Sequence, residues 1–443
     1  MGRFSGQRCR LADTCATYAA AFVREIAQKQ AISRAHANCG CAGSGVAARE
    51  GRETIACVTE APAPFTVPFA PPDLGAAESD EVQRTLASGW LTTGPRVRRF
   101  EQEFAAYVGA PHALAVNSCS AALHLSLLAA GIGPGDEVVT TPLTFCATAN
   151  MVVHCGATPI FADIDRATWN LDPAATEAAL TARTRAIIPV HYGGRAADMG
   201  RFAAIARPRG LTLIQDAAHA IGAVYEGQRI GAIGDFTCFS FHATKNLTTG
   251  EGGMVTTSDA AAVQRMRMAS LHGLDRDAWA RYAPGGRTDY QVQMAGFKYN
   301  MMDLQAAIGL HQLARLDVMH ARRAAIAARY DAAFSSLPLR RSAALDAGMV
   351  HAHHLYPVCV DRTIAGMTRD ELQQRLRALG ICTSVHFPVL HLQPFYRSRY
   401  GFTPGMFPVA ETVADQILSL PISPALTDDA IDRVIEAMHE CFR

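Results

Sequence analysis

Residues 133–141 read Gly133-Pro134-Gly135-Asp136-Glu137-Val138-Val139-Thr140-Thr141. The first four are turn formers: glycine relaxes the backbone, proline fixes φ and aspartate bonds back to its own chain. A short apolar, β-branched run follows, of the kind that fills a buried strand. Similar runs recur at Thr158–Ala162, Arg185–Val190, Leu211–Gln215, Phe236–Phe241 and Gly253–Thr257, with Ala113–Val116 ahead of them all. Amphipathic stretches such as Ala121–Ala130 and Pro173–Leu180 separate them. Strands alternating with helices imply an α/β fold with a mainly parallel central sheet and helices on both faces. In such sheets, functional residues belong at the carboxyl ends of the strands.

Further along, Asp303 to Phe334 forms a long helical pattern, with Leu304, Ile308, Leu310, Leu313 and Leu316 on its apolar side. It is read as a bridge to a smaller C-terminal α+β domain. There Thr368-Arg369-Asp370-Glu371 has the capping-box pattern of a helix start, Gly380 ends that helix, and Ile381–Phe387 reads as a strand. The resulting division is an N-terminal extension over 1–64, a large domain over 65–318 and a small domain over 319–443. Residues 1–64 hold Cys9, Cys15, Cys39, Cys41 and Cys57, several arginines and a stretch, Ala16–Ala31, with helical composition. Asp13, Glu25 and the lack of a continuous apolar stretch oppose a targeting peptide. The expectation is a disordered extension or translation from an upstream start codon.

Composition narrows the function classes. The chain has 443 residues, 49% of them hydrophobic and 18% charged, enough apolar material for two or three packed domains. A formal net charge of +1 opposes a role in coating nucleic acid or an anionic membrane. No apolar run approaches the ~20 residues that span a bilayer. The twelve cysteines are scattered without paired CxxC motifs, so no metal site is expected. Free thiols in a reducing cytoplasm are the expectation.

Chemistry enters at the strand ends. Lys245 follows an apolar strand and the polar stretch His242-Ala243-Thr244, and precedes a loop rich in Thr and Gly. That context suits an amine held in a pocket and partly desolvated, as imine formation requires. Asp216 ends the run Leu211-Thr212-Leu213-Ile214-Gln215. A carboxylate there is either a helix cap or the counter-ion of a pyridinium nitrogen. His219 is placed to orient Asp216 or to sit beside a flat ring. Asn117-Ser118-Cys119-Ser120 precedes a helix whose N-terminal N–H groups suit a phosphate dianion; the same residues suit an ordinary cap. Phe145, just past a strand end, suits a stacking role or core packing. Ser240 and Asn300 are further phosphate candidates. Taken one at a time, these residues are ambiguous. Their order is less so: a phosphate loop, a stacking aromatic, a strand-end Asp and a Lys about thirty residues later make one coherent cofactor site.

At these residues the sequence resembles the DegT-type sugar aminotransferases, fold-type I enzymes that use pyridoxal phosphate. The resemblance rests on Trp90-Leu91-Thr92-Thr93-Gly94-Pro95, Asp216-Ala217-Ala218-His219-Ala220, Phe239 to Asn246 with Gly250-Glu251-Gly252-Gly253, and Gly296-Phe297-Lys298-Tyr299-Asn300. It runs from about Pro68 to the C-terminus. His219, His242 and the segment from Leu271 to Trp279 resemble the branch acting on nucleotide-linked 4-keto sugars, notably the 4-amino-4-deoxy-L-arabinose and pseudaminic acid pathway enzymes.

The resemblance implies Lys245 as the Schiff-base lysine and Asp216 as the partner of the pyridine nitrogen, with His219 beside them. It implies phosphate binding by Ser118, Cys119, Ser120 and Ser240, and stacking by Phe145. Asn300 would reach the cofactor of a neighbouring subunit, hence a homodimer with shared sites. Thr92, Thr93, His191, His242 and His386 are candidates for the sugar-nucleotide side. Glutamate is the implied amino donor and a nucleotide-linked keto sugar the acceptor. Rival readings are an aminotransferase for a free cyclitol or keto sugar, a dehydratase and a non-catalytic cofactor-binding regulator. Dehydratases related to the family carry His at the lysine position, so Lys245 opposes that reading.

Overall fold

The computed structural model describes residues 66–275, 282 and 289–443. The readings placed on residues 1–64 and on Trp279 lie outside the described residues. The apolar runs become β1 (His112–Val116), β2 (Glu137–Thr140), β3 (Thr158–Phe161), β4 (Thr184–Ile188) and β5 (Thr212–Asp216). A small hairpin of β6 (Val224–Tyr225) and β7 (Gln228–Arg229) precedes β8 (Phe236–Ser240) and β9 (Gly253–Thr257). All but the hairpin join one seven-stranded sheet in the order β1-β9-β8-β5-β4-β2-β3. The pairs β2·β3, β2·β4, β4·β5 and β5·β8 are parallel, whereas β9 runs antiparallel to both β1 and β8.

Successive side chains in a strand point to opposite faces, and continuous apolar runs therefore bury both. Ile187, Leu213 and Phe239 face one layer with Phe100 and Phe104, while Ile188, Ile214 and Cys238 face the other with Leu123, Leu125 and Leu127. The first layer draws on α2 (Pro95–Val108), which follows α1 (Ala76–Ala87); the second draws on α3 (Cys119–Ala129). Next come α4 (Ala147–His154), α5 (Pro173–Ala178), α6 (Met199–Ala206) and α7 (Ala260–Ala269). The fold is α/β, with a mainly parallel sheet flanked by helices, as the alternation implied.

The helical pattern over Asp303–Phe334 is two helices, α8 (Asp303–Ala314) and α9 (Leu316–Ala333). They break at Arg315, whose backbone leaves helical geometry at φ −113° and ψ 9°. Its guanidinium reaches Glu78 in α1 at 3.0 Å and Asp73 at 3.1 Å. Beyond the break, Ile326, Tyr330 and Phe334 join a third core cluster with the antiparallel pair β10 (Tyr356–Cys359) and β11 (Ile417–Leu420). Helices α10 (Arg369–Ala378) and α11 (Asp428–Cys441) complete it with Leu372, Leu376, Val434 and Met438. Thr368 caps α10, and Glu371 reaches back to close the box. The strand expected at Ile381–Phe387 does not form. Only single bridges occur, from Ile381 to Val67 and from Ser384 to Ser419, because the end of the segment turns His386 and Phe387 into a cavity.

Candidate active site

The carboxyl ends of β1, β5 and β8 open on the same side of the sheet. Because β9 is antiparallel, its first residue lies there too: Gly253 pairs with Val116 of β1 and with Ser240 of β8. A cavity of about 400 Å³ opens over these ends, within the size range of small-molecule sites. Of the residues proposed from sequence, Ser118, Cys119, Ser120, Phe145, Asp216, His219, Ser240, His242, Lys245 and His386 line it.

Asp216 forms the floor. It is buried, and its carboxylate accepts from Thr148 Oγ1 at 2.7 Å and from the Ala218 N–H at 3.1 Å. Thr144 lies 2.9 Å from Thr148, so a hydroxyl relay holds the acceptor in one orientation. Burial still raises the Asp216 pKa above the usual carboxylate range, against the pull of those donors and of Lys245.

Burial lowers the Lys245 amine to about 8, although Asp216 and Cys119 oppose the shift. An appreciable neutral fraction near pH 7–8 follows. Around it stand imidazoles kept neutral. His219 and His354 are pushed well below the ordinary histidine value by burial and the nearby amine, and His386 falls to about 4 for the same reasons. Charged imidazoles there would repel the ammonium. His219 does not bond Asp216; its Nδ1 accepts from the Gly193 N–H at 3.3 Å, and its ring stacks on Phe387 with centroids 5.9 Å apart.

At the other end of the cavity lies the start of α3. Ser118 is its N-cap, with Oγ accepting from the Ala121 N–H at 3.1 Å. The N–H groups of Cys119 and Ser120 belong to the first turn, where a helix offers no acceptor of its own, a setting that suits an anion. Gly253 makes this possible: a Cβ there would meet the Ser118 carbonyl carbon at 2.5 Å and the Cys119 nitrogen at 2.7 Å. Gly253→Ala is therefore expected to displace the loop and weaken cofactor phosphate binding by about tenfold or more, one lost or misaligned charge-assisted bond. Equilibrium titration with pyridoxal phosphate checks this.

Phe145 is 59% exposed and lines the cavity, so its ring face is open to a flat ligand. His242 is exposed at the mouth, 3.9 Å from Glu251. Four proposed residues are not among those lining the cavity. His191 is fully buried and both ring nitrogens are engaged, by Gln215 at 3.0 Å and the Ala197 N–H at 2.9 Å; it braces the backbone after β4. Thr93 donates to the Met301 carbonyl and accepts from Asn300 at 2.7 Å, while Thr92 receives the Asp303 N–H on its carbonyl. Sequence reasoning missed Thr144, His354 and Phe387, all on the cavity wall, and Thr148 behind Asp216. The one signal for His354 was the histidine run His351-Ala352-His353-His354.

An acid on the floor, an amine beside it, a helix N-terminus opposite and an open aromatic ring fit pyridoxal phosphate. Comparison with known proteins decides the matter: the profile of the DegT/DnrJ/EryC1/StrS aminotransferase family matches residues 72–439. The chain belongs to that family. It is 51% identical over 375 residues to the spore coat polysaccharide biosynthesis protein SpsC of Bacillus subtilis, covering 84% of this chain and 96% of the relative. The structure superposes on a putative sugar aminotransferase from Streptococcus pneumoniae, solved in its PLP form, with TM-score 0.78 at 33% identity over 86% of this chain and all of the other. Helicobacter pylori PseC, an aminotransferase involved in the biosynthesis of pseudoaminic acid, gives TM-score 0.78 at 28% identity over 85% of this chain and 99% of the other. The family aminotransferase described by this chain depends on pyridoxal phosphate.

Proposed function

We propose that the enzyme moves an amino group from glutamate to a nucleotide-linked 4-keto sugar, giving an amino sugar for surface polysaccharide or natural-product biosynthesis. Pyridoxal phosphate supplies the electron sink that stores the amino group between donor and acceptor. Lys245 anchors the cofactor and moves the proton at the substrate carbon, a double task served by an amine lowered to about 8. Asp216 meets the pyridine nitrogen. Ser118, Cys119, Ser120 and Ser240 hold the phosphate, Phe145 covers one ring face and His219 the other side. Thr92, Thr93, His242 and His386 remain the candidates for the sugar side. The observation that carries the acceptor assignment is the open mouth between Phe145, His242 and His386, where hydrogen-bonding imidazoles beside an aromatic face suit hydroxyl-rich substrates.

A homodimer with shared sites is part of the same reading. Among the described residues lining the cavity, Lys245 is the one lysine and there is no arginine, so the phosphates call for donors from elsewhere. Asn300, already bonded to Thr93 and Lys298 outside the lining, is the proposed contribution to the neighbour's cofactor. The third core cluster, drawn from Ile326 onward with Val67 added from the start of the described chain, supports a large domain over 65–318 and a small one over 319–443.

A panel of nucleotide 4-keto sugars and free keto sugars or cyclitols, each assayed with glutamate, tests the reading. The expected kcat/KM for a nucleotide-linked substrate exceeds that of the free sugar by about 100-fold or more, since binding energy from the remote nucleotide is used at the reacting carbon. Equal turnover of the free sugar would move the assignment to cyclitol or free-sugar chemistry. No glutamate-dependent change in cofactor absorbance would reduce the chain to a binder.

A further inference from the structure

Lys245 Nζ lies 3.4 Å from Nε2 of His354, a buried residue of the segment before β10. The other ring nitrogen, Nδ1, lies 3.1 Å from Oδ1 of Asn246. Asn246 is buried too, and its Nδ2 donates to the Ala352 carbonyl at 2.7 Å. That last bond fixes the amide: Oδ1 is the atom turned to the imidazole, and a carbonyl oxygen accepts. Nδ1 of His354 must therefore carry the proton. In the neutral ring, Nε2 is then a bare acceptor aimed at the lysine. The chain makes this economical, because Asn246 directly follows Lys245.

We propose that His354, its tautomer set by Asn246, is a positioning residue that receives the Lys245 amine whenever it is free of the cofactor and holds it in the direction from which it returns. The proposal rests on the reading of Lys245 as the cofactor-bearing residue. In each full cycle the amine is displaced by the amino donor in the first half-reaction, stays free while the cofactor carries the amino group, and must come back as the amino product leaves at the end of the second. A free lysine side chain has several rotatable bonds, and a single fixed acceptor reduces the arrangements it samples. His219 packs against the imidazole, with ring centroids 4.4 Å apart, and adds a further restraint on its position. Burial and the cations Lys245 and Arg323 keep the His354 ring neutral, as an acceptor must be.

The test uses the near-isosteric pair His354→Gln and His354→Met in the full-length protein. Both lose the bond to Asn246, and only Gln keeps an acceptor for the amine. Cyanate labelling of Lys245 in the apo-protein, followed by mass spectrometry across pH, reports the amine directly. Asp216, Cys119, His219 and His386, the other groups whose titration is linked to this amine, are retained throughout. An acceptor favours the charged amine, so the Met variant is expected to label with a midpoint about one pH unit below that of the wild type. Its cofactor uptake, followed by absorbance, is expected to be about tenfold slower. The Gln variant is expected to recover most of both. A Met variant that matches the wild type, or a Gln variant that matches Met, overturns the clamp. Should Met fail to fold by circular dichroism, His354→Phe takes its place. Lys245→Ala separates the two ideas: a lysine-type cofactor absorbance that persists there overturns the reading of Lys245 itself.

Discussion

Replacing Lys245 by alanine is expected to reduce turnover by about 1,000-fold or more, the scale of a lost general acid–base group, with the fold and non-covalent cofactor binding intact. The other anchors remain. Asp216 is held by Thr148 and Ala218, and the phosphate end by the start of α3, none of which bonds Lys245. The stability of the apo-protein supplies an independent check with a definite sign. In the folded chain the amine titrates near 8, against 10.5 as its ordinary value. Above 10.5 the amine is neutral in both states. As pH falls towards 8, the unfolded chain takes up the proton first, so stability is lost across that window and the deficit persists below it. The alanine variant lacks this deficit. It is expected to melt no lower than the wild type at pH 7 while showing less gain between pH 8 and 10. Retained turnover would remove Lys245 from the mechanism, and a collapsed melting curve would mean that the residue is structural.

How much of this was legible in the sequence depended on the range of the interaction. The strands were readable because a run buried on both faces is apolar whatever its neighbours, and Glu137, Arg185 and Phe236 lie within a residue of observed boundaries. The helix break at Arg315 was not: no proline or glycine marks it, and its acidic partners, Asp73 and Glu78, lie more than 200 residues away in the chain. Ile381–Phe387 misled for the opposite reason. Its alternation is real, but the segment makes its partners one bridge at a time and spends His386 and Phe387 on a cavity wall. Among site residues, Asp216 and Ser118 sit at a strand end and a helix start, Lys245 lies in the turn after β8, and all three announced themselves by position. His191 also follows a strand, yet it points into protein and serves as a brace. His354 had no such cue. Its importance comes from Asn246 and Lys245, about 110 residues earlier, and only the fold brings them together.

The second large effect is expected at Asp216, where activity and stability should move in opposite directions. Asp216→Asn keeps the shape and one acceptor for Thr148 or Ala218 but removes the negative charge that the pyridine nitrogen requires. A fall in kcat of about 100- to 1,000-fold is expected, the usual scale for removing one preorganised electrostatic contact from a closed site. For the apo-protein the sign reverses. Burial raises the pKa of Asp216 in the folded state. At low pH the carboxyl is protonated in both states. As pH rises through the ordinary carboxylate range, the unfolded chain releases its proton first, so folding loses stability up to the folded-state pKa and does not regain it above. A neutral amide avoids that cost, and the apo-variant is expected to melt higher than the wild type at pH 7. Thr148→Val separates charge from orientation, since it leaves the carboxylate and removes the 2.7 Å donor that aims it; about tenfold lower kcat is expected, from one lost bond to a charged group. If Asp216→Asn kept kcat within tenfold of the wild type, the carboxylate would be a cap for the turn at Ala218 and nothing more. If it lost activity and stability together, the loss would belong to the fold. Only loss of rate with gain in apo-stability matches an acid buried against its own preference for the sake of a cofactor.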